Sequence, residues 1–313
     1  MRAIGFNGAA HDRRFALSSV VRGCYVQPRI WEAVTAIAPG TIIVANPDAV
    51  GGAGALIAVD PNTGAQTLLS QGQHFVEPTG VVFAKDGRIL VSDTKAFQGD
   101  SGGLIAVNPA NGLQTRVMGS TLFRRPFGMA VQADGQVLVA CLEQAVIRVN
   151  PANGDFVNAI PNVKFDSPAG VALDAAGNVI VADVDVSGQD SRLFRIDAGV
   201  GASIRAHGEP PGAIYAAVAI EPSGNILVAS HPNHAPPQLL RFPPTSGAVT
   251  KVSEGNKLVL PFGIGVEANG SIVVSDVRNG VIRINPATGT QTTISEGQHL
   301  AGSNGGPRGL AIR

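Results

Sequence analysis

The chain is poor in the residues that would place it in several familiar classes. It has two cysteines, Cys24 and Cys141, in 313 residues, too few for a disulfide framework and at no spacing that makes a zinc motif. Charged residues are 15% of the chain, Lys plus Arg equals Asp plus Glu at 23 each, and no run of Lys or Arg occurs. That balance argues against an electrostatic grip on nucleic acid or on an anionic membrane. One Trp and two Tyr cannot furnish an aromatic platform for carbohydrate or a stacking surface for single-stranded nucleic acid. No apolar stretch approaches the ~20 residues of a membrane-spanning helix.

Glycine and proline are abundant instead, 39 and 21 residues, and they are periodic. A phrase recurs: Pro-x-Gly, a short apolar stretch, a Gly-containing turn, a second apolar stretch ending in Val-Ala-Asp or similar, then Asn/Asp-Pro-x-x-Gly. Its period of about 46 residues matches the four-strand blade of a β-propeller. The repeat glycines are Gly80, Gly128, Gly170, Gly263 and Gly309, with Ala217 in one degenerate slot. Turns such as Lys85-Asp86-Gly87 and Ala268-Asn269-Gly270 place Gly where a tight hairpin needs positive φ. Second strands, the first in each blade that is apolar almost throughout, are expected to begin at Ile42, Ile89, Val137, Val179, Ile226 and Ile272, giving six blades buried between neighbours.

The first of these strands has no inner strand before it, while the chain ends on Pro307 to Ile312 with nothing after it. The simplest solution is an all-β, six-bladed propeller over residues 41–313 in which the C-terminal strand completes the first blade. A closed ring is expected to be a monomer. Residues 1–40 stand outside the repeat. They carry Arg2, Arg13, Arg14 and Arg22 around one weak apolar run, Phe15 to Val21, which reads as a poorly ordered extension, a misassigned start or a processed leader. The compartment, cytoplasmic or exported, stays open.

The repeat Pro-x-Gly-Val-Ala-Val…Asp-x-x-Gly-x-Ile-x-Val-Ala-Asp…Ile-x-Arg-Ile-x-Pro-x-Thr-Gly resembles NHL-type propellers, and is similar to the gluconolactonase (senescence-marker-protein) and streptogramin-lyase groups. The resemblance covers residues 41–313 and rests on strand and turn phrases. It implies a small-molecule hydrolase or lyase acting on a lactone or cyclic ester, assisted by a divalent metal (Zn, Ca or Mg). A non-catalytic propeller binding a small ligand or a protein partner is the alternative. Gluconolactonase-like enzymes hold their cation through Glu, Asn and Asp, the Asn tending to occupy the x of Pro-x-Gly. Here those positions are Thr79, Phe127, Ala169, Ala216, Phe262 and Arg308, so the family's hard-cation site is not present in its usual form.

Any pocket is expected where the long connections lie, on the face opposite the short turns and over the central channel. His74, His231, His234 and His299 fall in or beside those connections. His231, His234 and Arg125 are candidate catalytic residues, the histidines as bases and Arg125 to hold an anionic group. His74, His299, Asp183 and Asp185 are candidate metal ligands. Two other readings stay open. The Gly-Gln-His phrases at His74 and His299 are repeat copies whose histidines make local bonds, and the strand-end Asp93, Asp183 and Asp276 cap loop amides. Side chains from three blades meeting at ligand distance would favour an enzyme; a channel plugged by Phe127 and Phe262 would favour a binding module.

Overall fold

Apolar runs separated by turn glycines fold into six four-stranded antiparallel sheets, each packed on the next around a ring. The computed structural model describes residues 37–97, 101–121, 123–143, 145–185, 191–197, 201–207, 212–232, 234–244, 248–301 and 305–313, the strand at 201–207 without its side chains. The expectations for residues 1–36 of the N-terminal segment, including Cys24, lie outside these residues. All six second strands begin where the sequence pattern puts them. No helix among the described residues is long and apolar enough to cross a membrane.

Closure follows the expected route. Leu310–Ile312 pairs with Ile42–Asn46, which continues to Ala55–Val59 and Gln66–Gln71, completing the first blade. The junction copies a covalent hairpin. Gly40 N–H donates to the Arg313 carbonyl at 2.7 Å and Arg313 N–H to the Thr41 carbonyl at 3.0 Å. In the sixth blade the same two bonds link Gly270 to Glu267 and Glu267 to Ser271. Arg313 therefore stands where Glu267 does, and residues 38–40 supply the rest of the turn.

The Pro-x-Gly phrase exists because six inner strands crowd together at the axis. A Cβ on Gly80 would lie 2.1 Å from the Phe127 carbonyl oxygen of the next blade, so only glycine fits. The ladder shifts register at this point in the second, fourth and sixth blades. A bulge of this kind re-aims the extra residue, and the x side chains line the channel end.

The outer seams use other chemistry. An Arg on the third strand pairs with a carboxylate at the end of its own inner strand: Arg195 with Asp174 at 2.9 Å, Arg241 with Glu221 at 2.7 Å and Arg283 with Glu267 at 2.6 Å. Arg283 also donates to the Pro61 carbonyl of the first blade at 2.8 Å, fastening the ring across its closing seam. Glu267 holds the Arg283 guanidinium charged more firmly than usual through its hydrogen bonds.

The third blade breaks this pattern. Gln132 occupies the carboxylate position, and both its Oε1 and the Nε of Arg148 are buried with no hydrogen-bond partner among the described residues. Gln132→Glu is expected to supply the missing charge and stabilise the fold by about 1 kcal/mol, raising Tm by about 2 °C. Glu267→Gln should lower it by a similar or larger amount. Thermal melts of the two variants check the pair, and an unchanged or lower Tm for Gln132→Glu would refute it.

Candidate functional site

The inner strands all enter from the face carrying the long connections, so their first residues define the channel mouth. Thr79 does not face a ligand there: its hydroxyl lies 2.8 Å from the Pro126 carbonyl and 3.2 Å from Ser92. Ala169 and Ala216 are small and buried. Phe127 and Phe262 come from the third and sixth blades, opposite one another in the ring, and their centroids lie 5.8 Å apart at a 44° tilt. They meet across the axis. The space among the inner strands is about 80 Å³, room for a few water molecules and far below the volume of an ordinary ligand pocket.

Two polar features flank this aromatic pair. Arg308 lies 2.9 Å from Glu77, which also accepts from Lys95 at 3.0 Å. Burial opposes the charge on Glu77, but Lys95 and Arg308 outweigh it and hold the carboxyl below its ordinary value. On the other side stands His231, its ring 5.7 Å from that of Phe262. Its Nε2 lies 2.5 Å from the Pro261 carbonyl. A carbonyl only accepts, so Nε2 carries the proton and Nδ1 is left as an acceptor, buried and without a partner among the described residues. Burial pushes the imidazole below its usual value, against the pull of Pro261 and Asp276.

The strand-end aspartates are occupied. Asp183 is fully buried and accepts the N–H groups of Asp166 and Ser167 at 2.8–3.1 Å, with Arg192 at 2.7 Å. Burial pushes its carboxyl above the usual range even though those donors favour the charge. Asp93 takes the amides of Val76, Glu77 and Lys95, and Asp276 those of Val259, Leu260, Arg278 and Asn279. These carboxylates clamp the connection entering each inner strand. Asp185 lies half-buried two residues further on.

The histidines do not gather with them. His74 N–H donates to Gln114 Oε1 and His299 N–H to Gln66 Oε1, both at 2.9 Å. In a third copy of the same turn, Gly255-Asn256-Lys257, Lys257 N–H donates to Gln291 Oε1 at 2.7 Å. The turn uses the backbone at this position, so Lys serves as well as His. His234 is exposed. Among the described residues no three of His, Cys, Asp and Glu are grouped to hold a metal ion, and His74, His299, Asp183 and Asp185 form no such set. The Glu-Asn-Asp cation site implied by the gluconolactonase resemblance does not fit the residues present. The corresponding mouth positions carry two Phe, two Ala, a committed Thr and a cation.

Arg125, the third catalytic candidate, is exposed and holds a left-handed φ of 47°. Sequence reasoning missed the glutamine turns at the seams, whose signal was the Gln two residues beyond Gly64, Gly112 and Gly289. Cys141 occupies the aspartate position of the third blade and is 1% exposed. Burial pushes its thiol well above the usual range, which leaves it an inert core residue.

No family model matches the chain, and no curated protein matches it in sequence. Solved structures match it in fold. A chain of the nidogen/laminin complex is 12% identical with a TM-score of 0.69, over 86% of this chain and 97% of that one. A gluconolactonase from Xanthomonas campestris is 13% identical with a TM-score of 0.59, over 86% and 90%. A catalytically inactive histidine-to-alanine variant of virginiamycin B lyase from Staphylococcus aureus, with quinupristin, is 14% identical with a TM-score of 0.50, over 69% of each chain. The likeness at these identities is one of fold.

Two measurements test this description. Cys141 should resist a thiol reagent in the native protein and react fully once denatured, with peptide mapping separating it from Cys24; rapid native labelling would contradict its burial. His231 is held neutral in the fold, whereas an unfolded His titrates near pH 6.5. As pH falls through that value the unfolded state takes up the proton first, so stability declines. Tm should therefore drop more between pH 7.5 and 5.5 in the wild type than in His231→Gln, and equal slopes would remove the buried imidazole as the cause.

Proposed function

We propose that this chain is a ligand-binding propeller without a catalytic centre on its axis. The observation that carries the reading is the contact of Phe127 with Phe262 across the channel mouth. In a ring of this kind the axis is where side chains from several blades converge, and here the converging groups are two aromatic rings. The charged residues at the mouth are committed to one another, Glu77 with Arg308 and Lys95. Recognition then falls to the connections around the mouth, with a small organic molecule as ligand.

A second reading has one observation in its favour. The buried, unprotonated Nδ1 of His231 beside Phe262 has the character of a general base, which a hydrolase or ring-opening lyase acting on a lactone or cyclic ester would need. The inactive histidine variant among the fold's solved examples is consistent with that chemistry. Nδ1 would have to become accessible for His231 to act.

One experiment separates the two. The full chain, incubated with zinc, calcium or magnesium and desalted, is analysed for bound metal and assayed with δ-gluconolactone and a cyclic depsipeptide, alongside His231→Ala. The binding reading expects substoichiometric metal and no turnover in either protein. Turnover that falls at least about 100-fold in His231→Ala would replace it with the enzyme.

A further inference from the structure

The largest departure from the repeat lies in the third blade, and it leaves a cleft. Outer strands elsewhere run five to seven residues, but here the strand is Phe156–Asn158, three residues. Its pairing with the third strand ends at the bond from Ala159 N–H to the Val146 carbonyl. Asn158 then caps the turn that leads away, its Oδ1 accepting from Ile160 N–H at 3.0 Å. Among the described residues, no outer-strand residue pairs with Ala145 at the loop end of Ala145–Val149. A cleft of about 750 Å³ opens there and runs between the third blade and the connection at Asp166. That volume is of the size that takes small organic ligands.

Its chemistry is lopsided. Ile147 and Phe156 supply an apolar wall. Both acids on the rim already have partners: Glu143 lies 3.0 Å from Arg124, and Asp166 lies 2.5 Å from Arg192. Arg125 is different. Its side chain has no hydrogen-bond or ion-pair partner among the described residues, it is exposed, and it lines the same cleft. Sequence explains why it is displayed. In the second, fourth and sixth blades the amides just before the inner-strand proline are held by the strand-end Asp. The third blade has Cys141 at that place, which cannot take them, and Arg125 instead adopts a left-handed φ of 47°. Non-glycine residues hold that conformation at a cost and are concentrated at ligand clamps.

From this geometry we propose that the cleft at the loop end of the third blade binds an amphipathic organic monoanion, a carboxylate or sulfonate whose head pairs with Arg125 and whose apolar body lies along Ile147 and Phe156. A guanidinium with no partner among the described residues presents a planar fork matched to such a head group, and the apolar wall selects against small inorganic anions. The inference rests on the reading of the chain as a binding propeller and locates its site off the axis.

The test uses the full chain with 8-anilinonaphthalene-1-sulfonate as fluorescent probe and decanoate as competitor. The wild type should bind the probe saturably at one site, release it to decanoate, and bind more weakly as salt rises. Arg125→Gln should weaken binding at least about tenfold, the loss of one charge-assisted hydrogen bond. Phe156→Ser should remove it. Glu143→Gln, which frees Arg124 to face the cleft, should tighten it. Arg278→Gln, an exposed Arg of the same face outside the cleft, serves as control, and thermal melts establish that each variant is folded. The proposal is overturned if the wild type shows no saturable site, or if folded Arg125→Gln and Phe156→Ser bind as the wild type does. Binding that survives both but is lost in Phe127→Ala would sink the cleft and leave the axial binding surface standing.

Discussion

Much of this protein follows from how little room there is at the axis. Six inner strands converge until the backbone of one blade touches the backbone of the next, as Gly80 does the Phe127 carbonyl and Gly309 the Thr79 carbonyl. Nothing larger than hydrogen fits at those glycines. The bulge just before Gly80, Gly170 and Gly263 then decides which side chains of those blades reach the channel mouth. A chain obeying this constraint has one variable residue per blade with which to build an axial site, and here those residues include two phenylalanines that meet. The mouth is closed by the same geometry that makes the ring.

Individuality therefore appears where the repeat loosens. Asp93, Asp183 and Asp276 clamp their connections with two or more amides each, making three blades alike. The first blade has Asn46, which bonds the His299 carbonyl. The third has Cys141 and the fifth Ser230, whose hydroxyl is buried without a partner. His231 follows Ser230 directly, and Arg125 belongs to the blade of Cys141. His231 and Arg125 thus both belong to the two blades without an Asp or Asn at this position.

The architecture was readable because its causes are local and repeated. Turn glycines, apolar second strands and the odd inner strand at Leu310–Ile312 each leave a periodic trace, and six copies reinforce it. Site chemistry leaves no such trace. Gly-Gln-His at His74 and His299 reads as paired metal ligands until the third copy, with Lys257, shows that only the backbone is engaged. The value of Asp183 as a ligand depends on whether its oxygens are free, and three donors settle that in space. The meeting of Phe127 and Phe262 was foreseeable from their slots three blades apart. The cleft was not, because it depends on where an outer strand stops pairing.

The closing turn between Arg313 and Gly40 has a kinetic consequence. Every other blade is continuous chain from its inner to its outer strand, whereas the first is held together across that turn by hydrogen bonds and packing alone. Release of Leu310–Ile312 is then the opening event that requires no peptide linkage to follow it, and it uncovers the inner edge of the first blade together with the flank of the sixth. Slow amide exchange in the buried strands would report, blade after blade, the lifetime of one three-residue latch.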